Sequence, residues 1–135
     1  MTFGDFIVKY QGEKVDFDGE DGPQCMDLYR QYCKDVLCCP HTGTVNPDGA
    51  KALYLKFSDR KEKEYFNRFS SRLARFGDVI VWDRTEKNPY GHVAIVAAAY
   101  GDEVLVFEQD GFVRDGAKFA VRGLRSALGI LRPKA

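Results

Sequence analysis

A chain of 135 residues, 44% hydrophobic and 13% aromatic, is long enough to bury a core of its own and short enough to be one domain, residues 1–135. Charged residues make up 30% and the formal net charge is +0, which excludes a disordered tail and gives no overall pull toward nucleic acid. The opening MTFGDFIVKYQGEK has no basic stretch leading into a long apolar run, and no segment approaches the roughly 20 apolar residues of a membrane span. The expectation is a product made in the cytoplasm without a signal peptide and with no membrane partner.

The charge is uneven. Residues 1–27 hold Asp5, Glu13, Asp16, Asp18, Glu20, Asp21 and Asp27 against Lys9 and Lys14, whereas residues 112–135 are mostly basic. The acidic end calls for a cation; the basic end reads as a solvated face.

In chain order, FGDFIVKY (3–10) is an apolar lead-in, a short helix or strand on the core. Gly12 to Gly22 is too rich in Asp and Gly for regular structure. Pro23 then suits a first helical position, where its missing N–H costs nothing. A helix follows through CMDLYRQYCKDVL, with Cys25, Tyr29, Tyr32, Cys33, Val36 and Leu37 forming an inward stripe topped by Cys25. PHTGTVNPDG (40–49) is a loop.

Helical stretches are expected at about 48–57 and 60–75, the latter with Phe66, Phe69, Leu73 and Phe76 as a core stripe opposite Arg60, Lys61, Arg68, Arg72 and Arg75. After Gly77 the period turns from helical to extended. GDVIVWD (77–83), HVAIVAAAY (92–100), EVLVFEQD (103–110), FAVRG and LGILRP read as five strands. Helices first and antiparallel strands after predict an α+β domain.

The chemistry concentrates in DFDGEDGPQCMD (16–27). Asp16, Asp18, Glu20 and Asp27 occupy the first, third, fifth and twelfth places of a calcium-type loop. Asp21 stands at the sixth place where Gly is usual, and Asp27 replaces a bidentate Glu, so the loop is an analogue and not an EF-hand. Oxygen donors alone suit a hard cation, with Asp16, Asp18 and Asp27 as side-chain ligands and Glu20 and Gly22 offering backbone carbonyls to Ca2+.

Of the four cysteines, Cys33, Cys38 and Cys39 with His41 lack a C-x-x-C pair and are too cramped for zinc, so they read as buried or half-buried small hydrophobes and free thiols. Cys25 differs. At a helix N-terminus, backbone N–H groups and the positive end of the dipole favour its thiolate, which makes it the candidate nucleophile.

A base is needed, and only two histidines exist. His92 heads a strand, which holds a side chain more rigidly than the loop of His41. The acid that orients it follows from strand parity. If 92–99 and 103–110 form a hairpin, a three-residue loop pairs His92 with Asp110 and leaves Glu108 diagonal to His92 on the same face. A two-residue loop would send Glu108 to the opposite face, so the catalytic reading predicts an odd loop or a compensating bulge. Gln24 is placed to act with the Cys25 backbone N–H as an oxyanion donor.

Together QCMDLYRQYC (24–33), GDVIVWD (77–83), GHVAIV (91–96) and VFEQDG (106–111) resemble, in this order, the CHAP family, the cysteine, histidine-dependent amidohydrolase/peptidase domains of the papain-like group. The resemblance implies a papain-like fold, Cys25 as nucleophile, His92 as base, Glu108 as its orienting acid, Gln24 in the oxyanion hole, and a calcium site in the acidic loop. Family members often carry Asn two residues after the Glu, where this chain has Asp110, a second carboxylate that either supports the charged imidazole or stays peripheral to it.

The resemblance further implies hydrolysis of amide or peptide bonds in bacterial peptidoglycan, commonly by phage endolysins acting as monomers, with no nucleic-acid partner. Because the chain ends soon after its last strand, no wall-binding domain is expected within it. Competing readings are a papain-like amidase on a non-wall substrate and a non-catalytic calcium-dependent binding module.

Overall fold

The computed structural model describes residues 1–135 apart from Asp21, Pro23, Pro40, His41, Arg114 and Ala135. The expectations for Pro23 at the helix start and for His41 in its loop therefore lie outside the described residues.

Three α-helices precede most of the sheet: α1 (Phe3–Tyr10), α2 (Cys25–Asp35) and the single turn α3 (Ala52–Leu55). Helix α1 begins at a capping box in which the Thr2 hydroxyl accepts from Asp5 N and Asp5 accepts from Thr2 N. This satisfies two of the N–H groups that a helix start leaves unpaired. Asp27 does the same for α2, accepting from Gln24 N at 2.9 Å.

The strands are β1 (Phe66–Phe69), β2 (Val79–Trp82), β3 (His92–Tyr100), β4 (Glu103–Glu108), β5 (Lys118–Gly123) and β6 (Ala127–Pro133). They form one antiparallel sheet in the order β1-β6-β2-β3-β4-β5. The architecture is α+β, as the order of periods predicts.

The two-residue period of the strands sorts the core. Val79, Val81, Val93, Ile95, Phe107 and Leu131 face the helices, packing with Phe6, Leu28, Tyr29 and Tyr32. Ile80, Trp82, Ala94, Val96, Val104 and Val106 point to the other face and form a second, smaller cluster with Ile130. Helix α2 is pinned at its flanks: the Tyr32 hydroxyl donates to Gly77 O at 2.8 Å, and the Tyr29 hydroxyl donates to buried Glu62 at 3.1 Å.

One expected element is corrected. The helix predicted at 60–75 is instead a 3-10 turn (Lys61–Glu64), strand β1 and a second 3-10 turn (Ser71–Leu73). Strand β1 pairs with β6 from Phe66↔Pro133 to Phe69↔Ile130, so a distant edge strand takes the backbone bonds that a helix would have made locally. The expected core stripe dissolves with it: Phe66 is buried, but Leu73 and Phe76 are 57% and 61% exposed. The helix at 48–57 likewise shortens to α3 followed by a 3-10 turn (Phe57–Asp59).

Candidate active site

Cys25 is the first residue of α2 and half-buried, while His92 is the first residue of β3. Helix α2 lies against β3, so the two chain starts meet. Both side chains line one cleft, and the Cys25 sulfur acts electrostatically on the ring. On the other side of the ring, His92 Nε2 lies 2.9 Å from Glu108 Oε1, which leaves Nδ1 as the nitrogen for the thiol.

Glu108 reaches the ring through a register shift. The hairpin closes on Tyr100↔Glu103, a two-residue loop that alone would turn Glu108 away. Between Val96 and Ala98 the pairing shifts, so Ala97 is an extra residue and Val96↔Val106 and Ile95↔Phe107 follow. The parity argument allows an odd loop or a compensating bulge; the bulge is what occurs.

Burial works against a charged His92, but the hydrogen bonds and negative charge from Cys25 and Glu108 outweigh it and raise the ring from 6.5 to about 9. Burial would likewise raise Glu108, yet bonds from His92 and Arg122 hold it down at about 2. The carboxylate is 1% exposed. A charge so deeply buried persists only when it is paired, and here two cations share it.

Arg122, from β5, is the second of these. Its Nε donates to Glu108 Oε1 and its Nη2 to Oε2, the latter at 2.6 Å. The guanidinium also lies 6.0 Å from the centre of the Trp82 ring. Trp82 in turn lies beside His92, with centroids 5.6 Å apart and planes inclined by 35°. Its indole N–H donates to Gly123 O at 3.0 Å. The imidazole is thus held edge-on by a carboxylate and flanked by an indole.

Sequence reasoning counted Arg122 only among basic surface residues, because its role depends on which strand lies beside β4. Two other residues were missed. Gln109 is wholly buried and binds the backbone of Val15 and Gln24. It was legible in part, since it shares the parity of core-facing Phe107. Gly111 packs on Gln24: a β-carbon there would come within 3.2 Å of Gln24 Cγ.

Gln24 and Cys25 line one side of an open cleft of about 1230 Å³, with Trp82 and His92 also on its surface and Tyr90 and Phe112 exposed along it. Asp110 borders this cleft. Its Oδ1 accepts from Phe112 N at 2.8 Å and Val113 N at 3.4 Å, which shapes the turn after β4.

Asp16, Asp18 and Asp27 each bring a carboxylate oxygen within 4.8 Å of the others. Asp27 is buried, and burial together with the charges of Asp18 and Asp16 raises it to about 6 despite its backbone hydrogen bonds. Its Oδ1 accepts from Phe17 N at 3.2 Å. Glu20 is exposed and its side chain is not one of the three; its N–H donates to Asp18 Oδ1 at 2.9 Å. Gly22 carries a φ of +72°, which a residue without a β-carbon adopts freely. An all-carboxylate set of this spacing fits a hard cation such as calcium, and crowded acids of this kind gain from one.

Residues 15–110 match the family described as the CHAP domain. The chain belongs to the CHAP family. Its CHAP region is 31% identical over 96 residues to the D-alanyl-L-alanine endopeptidase of Streptococcus phage B30, a match covering 70% of this chain and 21% of that protein. It is 33% identical over 100 residues to endolysin PlyTW of Staphylococcus phage Twort, covering 71% and 21%. The chain thus spans about a fifth of the length of these curated relatives.

Among solved structures, the CHAP chain is similar to the endolysin LysIME-EF1, with a TM-score of 0.76 at 23% identity over 98% of this chain and 64% of that one. For Ly7917 the TM-score is 0.68 at 20% identity, over 98% and 62%. These likenesses establish the fold.

Proposed function

We propose that this CHAP chain hydrolyses an amide or peptide bond of bacterial peptidoglycan, in phage-mediated lysis, with Cys25 as nucleophile. The observation that carries the reading is the His92 ring, hydrogen-bonded to Glu108 and sharing an open cleft with Cys25. The relatives, an endopeptidase and an endolysin, support the substrate class. Among the described residues no helix is long and apolar enough to cross a membrane.

In this mechanism the Cys25 thiolate attacks the scissile carbonyl carbon while His92 holds the proton. The developing oxyanion is met by the Cys25 backbone N–H and the Gln24 side-chain amide. As the C–N bond breaks, His92 gives its proton to the leaving amine. Water, deprotonated by the same ring, then hydrolyses the thioacyl enzyme and restores the thiol. Glu108 keeps the ring oriented and stabilises its charged form.

Asp16, Asp18 and Asp27 would hold a calcium ion, with backbone carbonyls of Glu20 and Gly22 completing the set. The ion would supply positive charge to the crowded carboxylates and fix the loop that leads into Cys25. Asp27 belongs to both the cluster and the cap of α2, so the loop and the nucleophile's helix share one side chain.

Mass spectrometry of fragments released from purified peptidoglycan tests the function. The expected result is fragments bearing new amino termini, whose identity names the bond as amidase or endopeptidase type. Intact walls with no new amines would refute it.

A further inference from the structure

Four consecutive residues starting at the last residue of β4 divide the work of the site: Glu108 holds His92, Asp110 shapes a turn and Gly111 leaves room for Gln24. Gln109 has no part in the mechanism above, yet it is 0% exposed. Strand alternation turns it away from Glu108, toward the side on which Phe107 meets the helices.

Its amide is fully engaged with backbone from distant parts of the chain. Oε1 accepts from Val15 N at 2.8 Å, and Nε2 donates to Val15 O at 2.7 Å and to Gln24 O at 2.9 Å. Val15 immediately precedes the acidic loop and Gln24 immediately precedes Cys25. One side chain therefore closes the base of the loop and ties the start of α2 to the strand carrying Glu108.

We propose that Gln109 is a positioning residue that sets Cys25 against the His92–Glu108 pair by clamping both ends of the acidic loop to the end of β4. The proposal rests on Cys25 as nucleophile but not on the identity of the substrate. Without the clamp, the Gln24 carbonyl keeps its bond from Asp27 N at 3.1 Å, so the helix can still start. Its tie to β4 is lost. Buried Val15 would also lose the partners of both its N–H and its C=O, and displaced reacting groups lose rate steeply.

The test uses Gln109→Met, which keeps the volume and removes all three bonds. Gln109→Glu is the second variant; it keeps the acceptor for Val15 N–H and removes the donors. Folding is checked by circular dichroism, and Cys25 alkylation by iodoacetamide is followed peptide by peptide, with exposed Cys38 as the internal reference.

The expected result is Cys25 alkylation slowed about 10- to 100-fold relative to Cys38 in either folded variant, with kcat on peptidoglycan falling in parallel and KM little changed. A folded variant with a lowered melting temperature but the parental Cys25 rate and kcat would overturn the proposal, leaving Gln109 a purely structural residue. If the parent alkylates at Cys25 faster than at Cys38 but releases nothing from peptidoglycan, the function reading fails and the alkylation comparison still decides the role of Gln109.

Discussion

His92 Nε2 and Glu108 Oε1 lie 2.9 Å apart because β3 carries one more residue than β4 between the hairpin turn and the site. Deleting Ala97 would return the hairpin to a plain two-residue register and turn one of the pair to the opposite face. A folded Ala97 deletion is expected to lose about 100-fold or more in kcat. Wall clearance at the parental rate would show that the bulge does not position the pair.

The charge state of His92 sets the alkaline side of the pH profile. The ring is held up at about 9 in the folded protein against 6.5 for an unperturbed histidine. Its contribution to stability is therefore complete below about 6.5 and is lost as pH rises through about 9. Activity is expected to fall over the same rise, since the imidazolium protonates the leaving amine. In Glu108→Gln the alkaline fall should move to lower pH, because the charge that supports the imidazolium is gone. An unmoved limb in pH–rate measurements would detach Glu108 from His92.

Arg122→Met removes two hydrogen bonds from a carboxylate that is 1% exposed. The guanidinium side chain is itself 36% exposed, so the expected loss is roughly 2 kcal/mol, below that of breaking a fully buried pair. The sign follows from Glu108, whose folded value of about 2 lies below its ordinary 4.5. That contribution is present above about 4.5 and lost as pH falls through about 2. Arg122→Met should shrink it, and urea unfolding at neutral and acid pH measures the difference; equal stability of parent and variant at neutral pH would rule out a structural role for the bidentate pair.

Calcium removal is expected to lower both the melting temperature and activity. A ligand that binds only the folded state at 100 times its Kd stabilises by about 2.7 kcal/mol. Differential scanning fluorimetry with and without EDTA, repeated on Asp16→Asn and Asp18→Asn, measures it. The parent should shift and the variants should shift less; identical melting of the parent in EDTA would remove the calcium site.

The places of the candidate site residues in the fold were largely legible from sequence. A thiol at a helix start, a histidine at a strand head and an acid closing an apolar strand are distinctive because Cys25, His92 and Glu108 each stand at the end of a strongly periodic element. Parity even reduced the hairpin to two geometries, one of which occurs. What stayed hidden depends on long-range pairing. Strand β1 looked helical because Phe66, Phe69, Leu73 and Phe76 follow a helical spacing, and only its ladder with β6 overrides that spacing. Arg122 and Gln109 act across strands and loops far apart in the chain, so spacing alone could not assign them.

In the proposed mechanism it is Cys25 that attacks the scissile bond. Amine release from purified peptidoglycan by the parent and by Cys25→Ala, at equal concentration and with calcium present, tests it most directly. Steady release by the parent is expected, with a rate lower by about 1,000-fold or more in the variant. Release by Cys25→Ala at the parental rate would contradict it.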